Sequence, residues 1–393
     1  MDVVIAGGGV AGLEALLGLR AMAGDKVRLT LIAPDADFSY RPLAVAEPFA
    51  LGHAHRVPLK RFTEEVGAEL VLEALESVDD GARELQLADR SRRSFDALLV
   101  ATGGRPVVGV EGATTWWPGG DADSYGGLLQ DIDEGYAKQI AIVVPPGAVW
   151  PLPAYELALM TAWDARDMGQ DDVEVTVYTP EDAPLAIFGS EASAGLRADL
   201  EEAGVSVQTG VVVQEDPDAP ARLVAGAGGP PLATQRVIAL PRAVARGVGG
   251  LATDERGFIR TDAHGRVESA PGVWAAGDAI AFPIKQGGLA AQQADAAAES
   301  IAAEAGADVE PRPFHPVLRG VLLTGRSRRW IRRDLGGDGG EGETQRHALW
   351  WPPTKIAGRY LAPYLAALDE AEFREADRPT GQLVELTLEG HGG

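Results

Sequence analysis

The stretch MDVVIAGGGVAGLEALLGLR at residues 1–20 leaves this chain few folds to choose from. Residues 3–6 are an apolar run short enough for a buried strand. Gly7, Gly9 and Gly12 follow in G-x-G-x-x-G spacing, and an apolar helical pattern begins at once. In a strand-turn-helix of this kind the first glycine permits the tight turn, the second lets backbone approach a pyrophosphate, and the third allows close packing of helix on strand. The phosphate lies at the helix N-terminus, where unpaired amides and the helix dipole favour an anion. KVRLTLIAPD then predicts a second strand over residues 27–32, parallel to the first. An acid for the ribose is due about twenty residues past the glycines. That place holds Ala33, and Asp35 is the candidate to replace it.

Composition narrows the chemistry. At 393 residues with 46% hydrophobic content, the chain can bury two or three domain cores. No apolar stretch is long enough for a membrane span and no basic region precedes the first apolar run, so a cytoplasmic protein without a signal peptide is expected. A net charge of -23 repels nucleic acid and anionic lipid, leaving at most weak peripheral membrane contact. The chain has no cysteine, which removes disulfides, Cys-x-x-Cys pairs and persulfide intermediates. Redox chemistry would have to reside in a bound cofactor. The six histidines are scattered, with only His53 and His55 close in sequence, so no metal site is expected.

Two more segments repeat the theme of a strand that stops in glycine. RSFDALLVATGGRPV predicts a strand over 97–101 ending in Thr102, Gly103 and Gly104, either bare backbone brought against a ligand or a surface turn. GVWAAGDAIAFPIKQGGLAAQQADAAAESIAAE predicts a strand over 273–276 that ends in Gly277 and Asp278, then an alanine-rich helix from near Gly288 whose N-terminus offers partial positive charge.

The glycine fingerprint, VATGGRP and AAGDA, in this order, resemble the pyridine nucleotide-disulfide oxidoreductase superfamily of FAD enzymes. The resemblance covers most of residues 1–310 and is nearest the sulfide:quinone reductase and type II NADH dehydrogenase branches. It implies an α/β fold with two Rossmann-like dinucleotide-binding domains, one for FAD and one NAD(P)-like, and a C-terminal cap domain. The FAD domain would be discontinuous, 1–110 and 250–310, with the NAD(P)-like domain at 111–249 and the cap at 311–393. Gly7, Gly9 and Gly12 would hold the FAD pyrophosphate, Thr102 and Gly103 would lie at the adenine end, and Gly277 and Asp278 would meet the ribityl-phosphate region. Lys285, Gln286 and Gly287 would adjoin the isoalloxazine ring, with Arg41 and Pro42 of SYRPLAVAEPF approaching from the other side. Lys285 would either stabilise the anionic reduced flavin or be an ordinary solvated lysine.

The middle of the chain departs from the pattern. A strand over 140–144 and a helix from near Pro153 keep the βα frame, but the loop from Pro145 to Pro153 lacks the three glycines, and its prolines remove amide donors. VEVTVYTPED ends in Glu181, an acid that could still meet a ribose, so NAD(P)H binding is weakened and stays open. PGAVWPLPAYE resembles the sulfide:quinone reductase loop in which a cysteine stands where this chain has Trp150. Trp150 is therefore expected beside the flavin, or else in the second domain's core, and sulfide oxidation is not expected. In the last third, FHPVLRGVLLTG and RRWIRRDL are strand-like, GGDGGEGE is a loop, and LWWPPTKIAGRYLAPYLAAL leads into a closing helix ahead of the acidic DEAEFREAD. Arg326, Arg328, Arg329, Arg332 and Arg333 read as a strand face paired with carboxylates, the alternative being contact with lipid or NADPH phosphates. The expected function is two-electron transfer from NAD(P)H or another small reductant to a quinone-like acceptor, both small molecules. A flavin-binding partner or regulatory protein without efficient turnover is the alternative.

Overall fold

The structure is a computed structural model that describes residues 1–119, 122–147, 149–268, 270–337, 340–368 and 384–385. Its first sheet is wholly parallel, in the order Val273–Ala275, Ala97–Val100, Asp2–Ala6, Arg28–Ile32, Glu69–Val71. The central strands are almost continuously apolar because both faces are covered, as parallel sheets require. On one face the helix Val10–Ala23 packs against the helix Gly287–Glu304. Their meeting surface is rich in alanine, with Ala11, Ala15, Ala290, Ala294, Ala297 and Ala298 all buried, so the two helices approach closely.

The second sheet repeats the parallel plan as Thr114–Thr115, Arg236–Ala239, Gln139–Val143, Glu174–Tyr178, Ser206–Gln208. The helix Leu152–Asp167 follows its central strand and is buried along most of its length. The cap is an antiparallel sheet of Val317–Leu323, Arg328–Asp334 and Glu343–Gln345. Trp330 and Trp350 fill its core, their rings edge to face at 4.7 Å. Leu318 and Leu322 point the other way, into the core of the second sheet's layer. The predicted elements differ from the observed ones by a residue or so at their ends, where hydrogen-bonded ladders stop short of the apolar run. The acidic segment 369–377 and residues 338–339 of the glycine loop lie outside the described residues.

The arginine-rich strand is held by ion pairs. Arg329 grips Asp199 of the helix Ser190–Glu202 with two bonds of 2.6 and 2.8 Å, and Arg346 joins the same carboxylate. Arg326 pairs with Asp167 at 2.5 Å, Arg332 reaches Glu343 at 4.0 Å, and Arg333 donates to the Ile187 carbonyl. The Arg329–Asp199 fork is desolvated and bidentate, so it fixes the cap against the second sheet's layer.

A buried acid pair holds the end of the described chain. Glu14, wholly buried on the first helix, accepts the backbone N–H groups of Tyr360 and Leu361 at 2.7 and 2.9 Å, capping the short helix Leu361–Leu368. Its charge also acts on the buried carboxyl of Asp295 on the helix Gly287–Glu304. Burial raises Glu14 from 4.5 to about 7, and burial together with the Glu14 charge raises Asp295. The folded protein thus holds a proton at Glu14 that the unfolded chain releases, so the stability this group contributes is fully present below pH 4.5 and is lost as pH rises through about 7. Glu14→Gln keeps an acceptor for the capped amides and removes the ionisation. Denaturant midpoints should then decline less between pH 5 and pH 8 than in the wild type, and parallel declines would show that this pair does not set the slope.

Candidate functional site

A cavity of about 690 Å³ opens at the carboxyl ends of the first sheet and runs towards the cap. It begins where the chain leaves strand Asp2–Ala6 on one side and strand Ala97–Val100 on the other, the point at which strand order reverses and ligands bind in such sheets. Gly7, with φ +133°, turns so tightly against the neighbouring strand that a Cβ would lie 2.1 Å from the Ala101 carbonyl oxygen. Gly12 packs its helix on the turn, where a Cβ would meet the Gly7 oxygen at 1.8 Å. Gly9 is different: a Cβ there would meet nothing within 4 Å, because the residue faces the cavity. It is also the N-cap of the helix Val10–Ala23 and provides no side-chain cap, so the first-turn amides are open to an anion. Gly103, at φ +71°, likewise leaves the space beside it free. A bare cradle at a helix N-terminus, with an open glycine on each side, fits the pyrophosphate of a dinucleotide.

The cavity brings together nearly all the residues singled out by sequence: Gly7, Gly9, Asp35, Arg41, Pro42, Thr102, Gly103, Trp150, Gly277, Asp278, Lys285, Gln286 and Gly287. Gly12 alone stands behind the wall, in its packing role. Asp35 is exposed at the cavity edge. Asp278 is half-buried, and its carboxyl is raised by burial and held down by the Lys285 charge.

Lys285 is not a solvated lysine. It is 7% exposed, donates to the Ile280 carbonyl at 2.5 Å, and sits 3.7 Å over the Phe258 ring. Burial pushes its ammonium down to about 8. Gln286 spends its side chain on structure: Oε1 accepts from Leu289 N–H as the N-cap of the helix Gly287–Glu304, and Nε2 donates to the Arg319 carbonyl. The Trp150 indole lines the cavity, and it also packs on the second sheet's core with its ring edge to face with Phe188 at 5.8 Å.

Sequence reasoning missed Glu156, Lys355 and Arg319. Lys355 is buried and donates to Glu156 Oε1 at 2.6 Å and to the Pro42 carbonyl at 3.1 Å. Glu156 Oε1 also accepts from Leu323 N–H of the cap, while Oε2 is buried with no partner among the described residues. Burial raises the carboxyl and lowers the ammonium, and each charge opposes the other's shift. The only available signal for Glu156 was an acid among apolar helix neighbours in PAYELALM.

The second sheet's ribose acid is turned inward. Glu181 Oε2 accepts from Tyr155 Oη at 2.7 Å and from Thr179 Oγ1 at 2.9 Å, and burial raises its carboxyl.

Comparison with known proteins bears on the family and the fold. The family model for pyridine nucleotide-disulphide oxidoreductases matches residues 1–299. The sulfide-quinone reductase of Aquifex aeolicus (strain VF5) is 30% identical over 191 residues, which span 46% of this chain and 43% of that protein. The ferredoxin reductase component of chlorobenzene dioxygenase from Cupriavidus sp. (strain PS12) is 27% identical over 302 residues, 73% of this chain and 68% of that one. In three dimensions the Aquifex aeolicus sulfide:quinone oxidoreductase superposes with a TM-score of 0.80 at 19% identity, covering 95% of this chain and 90% of its own. The ferredoxin reductase for the CYP199A2 system from Rhodopseudomonas palustris gives 0.64 at 21% identity, covering 86% and 83%. Both structural likenesses establish the fold.

Two variants test the site. Gly9→Leu fills the space left for the pyrophosphate and should yield colourless, folded protein; normal flavin content after purification would reject the assignment of this loop. Glu156→Ala strands a buried ammonium and should cost about 3–5 kcal/mol in denaturant unfolding. The double variant Glu156→Gln with Lys355→Met should recover most of that loss, and equal losses in both would show that the pair is not coupled.

Proposed function

The chain belongs to the pyridine nucleotide-disulphide oxidoreductase family of FAD enzymes, and from that premise we propose that it transfers two electrons from a small reductant to a quinone-like acceptor. The observation that carries the reading is the single cavity that runs from the glycine cradle past Lys285 and Trp150 to Arg319 of the cap and Lys355 of the segment after it. Bound FAD supplies the two-electron chemistry, so the protein needs no nucleophile of its own. The residues present bind and orient. Gly7, Gly9 and Gly103 hold the dinucleotide backbone, and Asp278 meets the ribityl region. Lys285 and the helix N-terminus at Gly287, capped by Gln286, place positive charge at the ring. The Lys355–Glu156 pair closes the cavity against water and holds a proton at its cap end.

NAD(P)H is a weak donor on this reading. The prolines of the 145–153 loop remove amides that a second pyrophosphate would use, and Glu181 is occupied by Tyr155 and Thr179. Sulfide is not a substrate, because the family chemistry holds sulfur on thiols and the chain has none. An indole at position 150 can neither form a persulfide nor exchange with one.

Anaerobic titration of the yellow protein with NADH, NADPH and sulfide tests the assignment. Flavin bleaching should saturate with nicotinamide nearer the millimolar end of the usual range of roughly 1 μM to 1 mM. Saturation at a few micromolar NADH would contradict the second-site argument, and sulfide-driven quinone reduction would contradict the last. Uniformly slow reduction by every donor would favour a flavin-binding protein without turnover.

A further inference from the structure

Arg319 is a buried cavity-lining cation at the cap end that is ion-paired with none of the described carboxylates. It lies on strand Val317–Leu323, is 8% exposed, and its Nε is buried with no hydrogen-bond partner among the described residues. None of the described carboxylates forms an ion pair with it. Arg332, directly opposite in the antiparallel register, adds a like charge. The opposing charge it feels, Asp334, is engaged by His315 at 2.8 Å. Burial and Arg332 push the guanidinium down to about 10, a measure of how poorly it is compensated.

The neighbouring charges do not cancel it. Glu156 is paired through Oε1 with Lys355, and Lys285 faces Asp278 further in. The helix Gly287–Glu304 begins beside Arg319, since its capping residue Gln286 donates to the Arg319 carbonyl, so the helix adds partial positive charge to the same end. A buried guanidinium without a carboxylate is costly unless something else carries the counter-charge. In a chain of net charge -23, with acids abundant, none of the described carboxylates, Glu156 of the same cavity included, is ion-paired with Arg319.

We propose that Arg319 forms a subsite for the anionic group of a small planar redox substrate, a quinone bearing an ionised hydroxyl or carboxyl. This rests on the electron-transfer reading above and specifies its acceptor. Trp150 and Val321 on the cavity wall offer apolar surface to a ring, while the guanidinium fork meets an oxyanion in its plane.

The test compares two probes on the FAD-loaded protein by calorimetry: 2-hydroxy-1,4-naphthoquinone, an anion at neutral pH, and neutral 1,4-naphthoquinone. The anion should bind the wild type at least ten-fold more tightly. Arg319→Gln should abolish the preference while sparing the neutral probe, and Arg319→Lys should restore part of it. Equal wild-type affinities, which need no variant, would overturn the proposal. So would an Arg319→Gln protein that keeps the preference but has a lowered flavin midpoint potential, since the guanidinium would then serve the cofactor. If the anion binds with the expected preference yet neither quinone reoxidises the reduced flavin, the subsite stands and the acceptor reading falls.

Discussion

The Lys355 ammonium is where the parts of this molecule meet. It comes from the segment after the cap, bonds the carbonyl of Pro42 in the first sheet's layer, and pairs with Glu156 on the helix that follows the second sheet's central strand. Glu156 in turn holds the cap backbone at Leu323. Four pieces of chain distant in sequence are fixed around one buried charge, and the cavity is the space they enclose. Neither ion is tolerable there alone, because desolvation would neutralise it or expel it. The pair therefore makes closure of the cavity depend on all the pieces being in place.

The same segment continues as a clasp. Ile356 N–H reaches the Tyr40 hydroxyl, and Tyr360 and Leu361 reach Glu14. The helix bearing Glu14 begins at the glycine cradle, and its neighbour bearing Asp295 begins at Gln286 and Gly287. Both helix N-termini that point at the cavity are thereby tied, from behind, to the chain that seals its other side. Close packing of two alanine-rich helices makes that linkage stiff.

The fold was legible where sequence pattern coincides with backbone necessity. Gly7, Gly12 and Gly277 stand where a side chain would collide or where φ is positive, and such requirements leave a fixed spacing in the sequence. The glycines that line the cavity could be read for the same reason. Glu156, Lys355 and Arg319 could not, because an isolated charge in an apolar helix or strand carries no period. Its partner is set by a fold that joins residues about two hundred positions apart. Gln286 shows the converse: the sequence placed it at the cavity, but its amide is spent on capping a helix and bonding a cap carbonyl. Lys285 was read as solvated or poised, and the structure gives it a carbonyl and an aromatic face.

The two parallel sheets show how one supersecondary frame can be put to different uses. In the first, glycine leaves the helix amides open at the strand end. In the second, proline removes amides, and the acid that would meet a sugar is bonded by Tyr155 from the helix itself. Tyr155 and Glu156 are adjacent, so one helical turn sends a hydroxyl to the second sheet's acid and a carboxylate to the cavity of the first. Opening the second site would mean breaking the Tyr155–Glu181 bond beside the residue that anchors Lys355. The wall of the first sheet's cavity is thus built from the very turn that bonds the second sheet's acid.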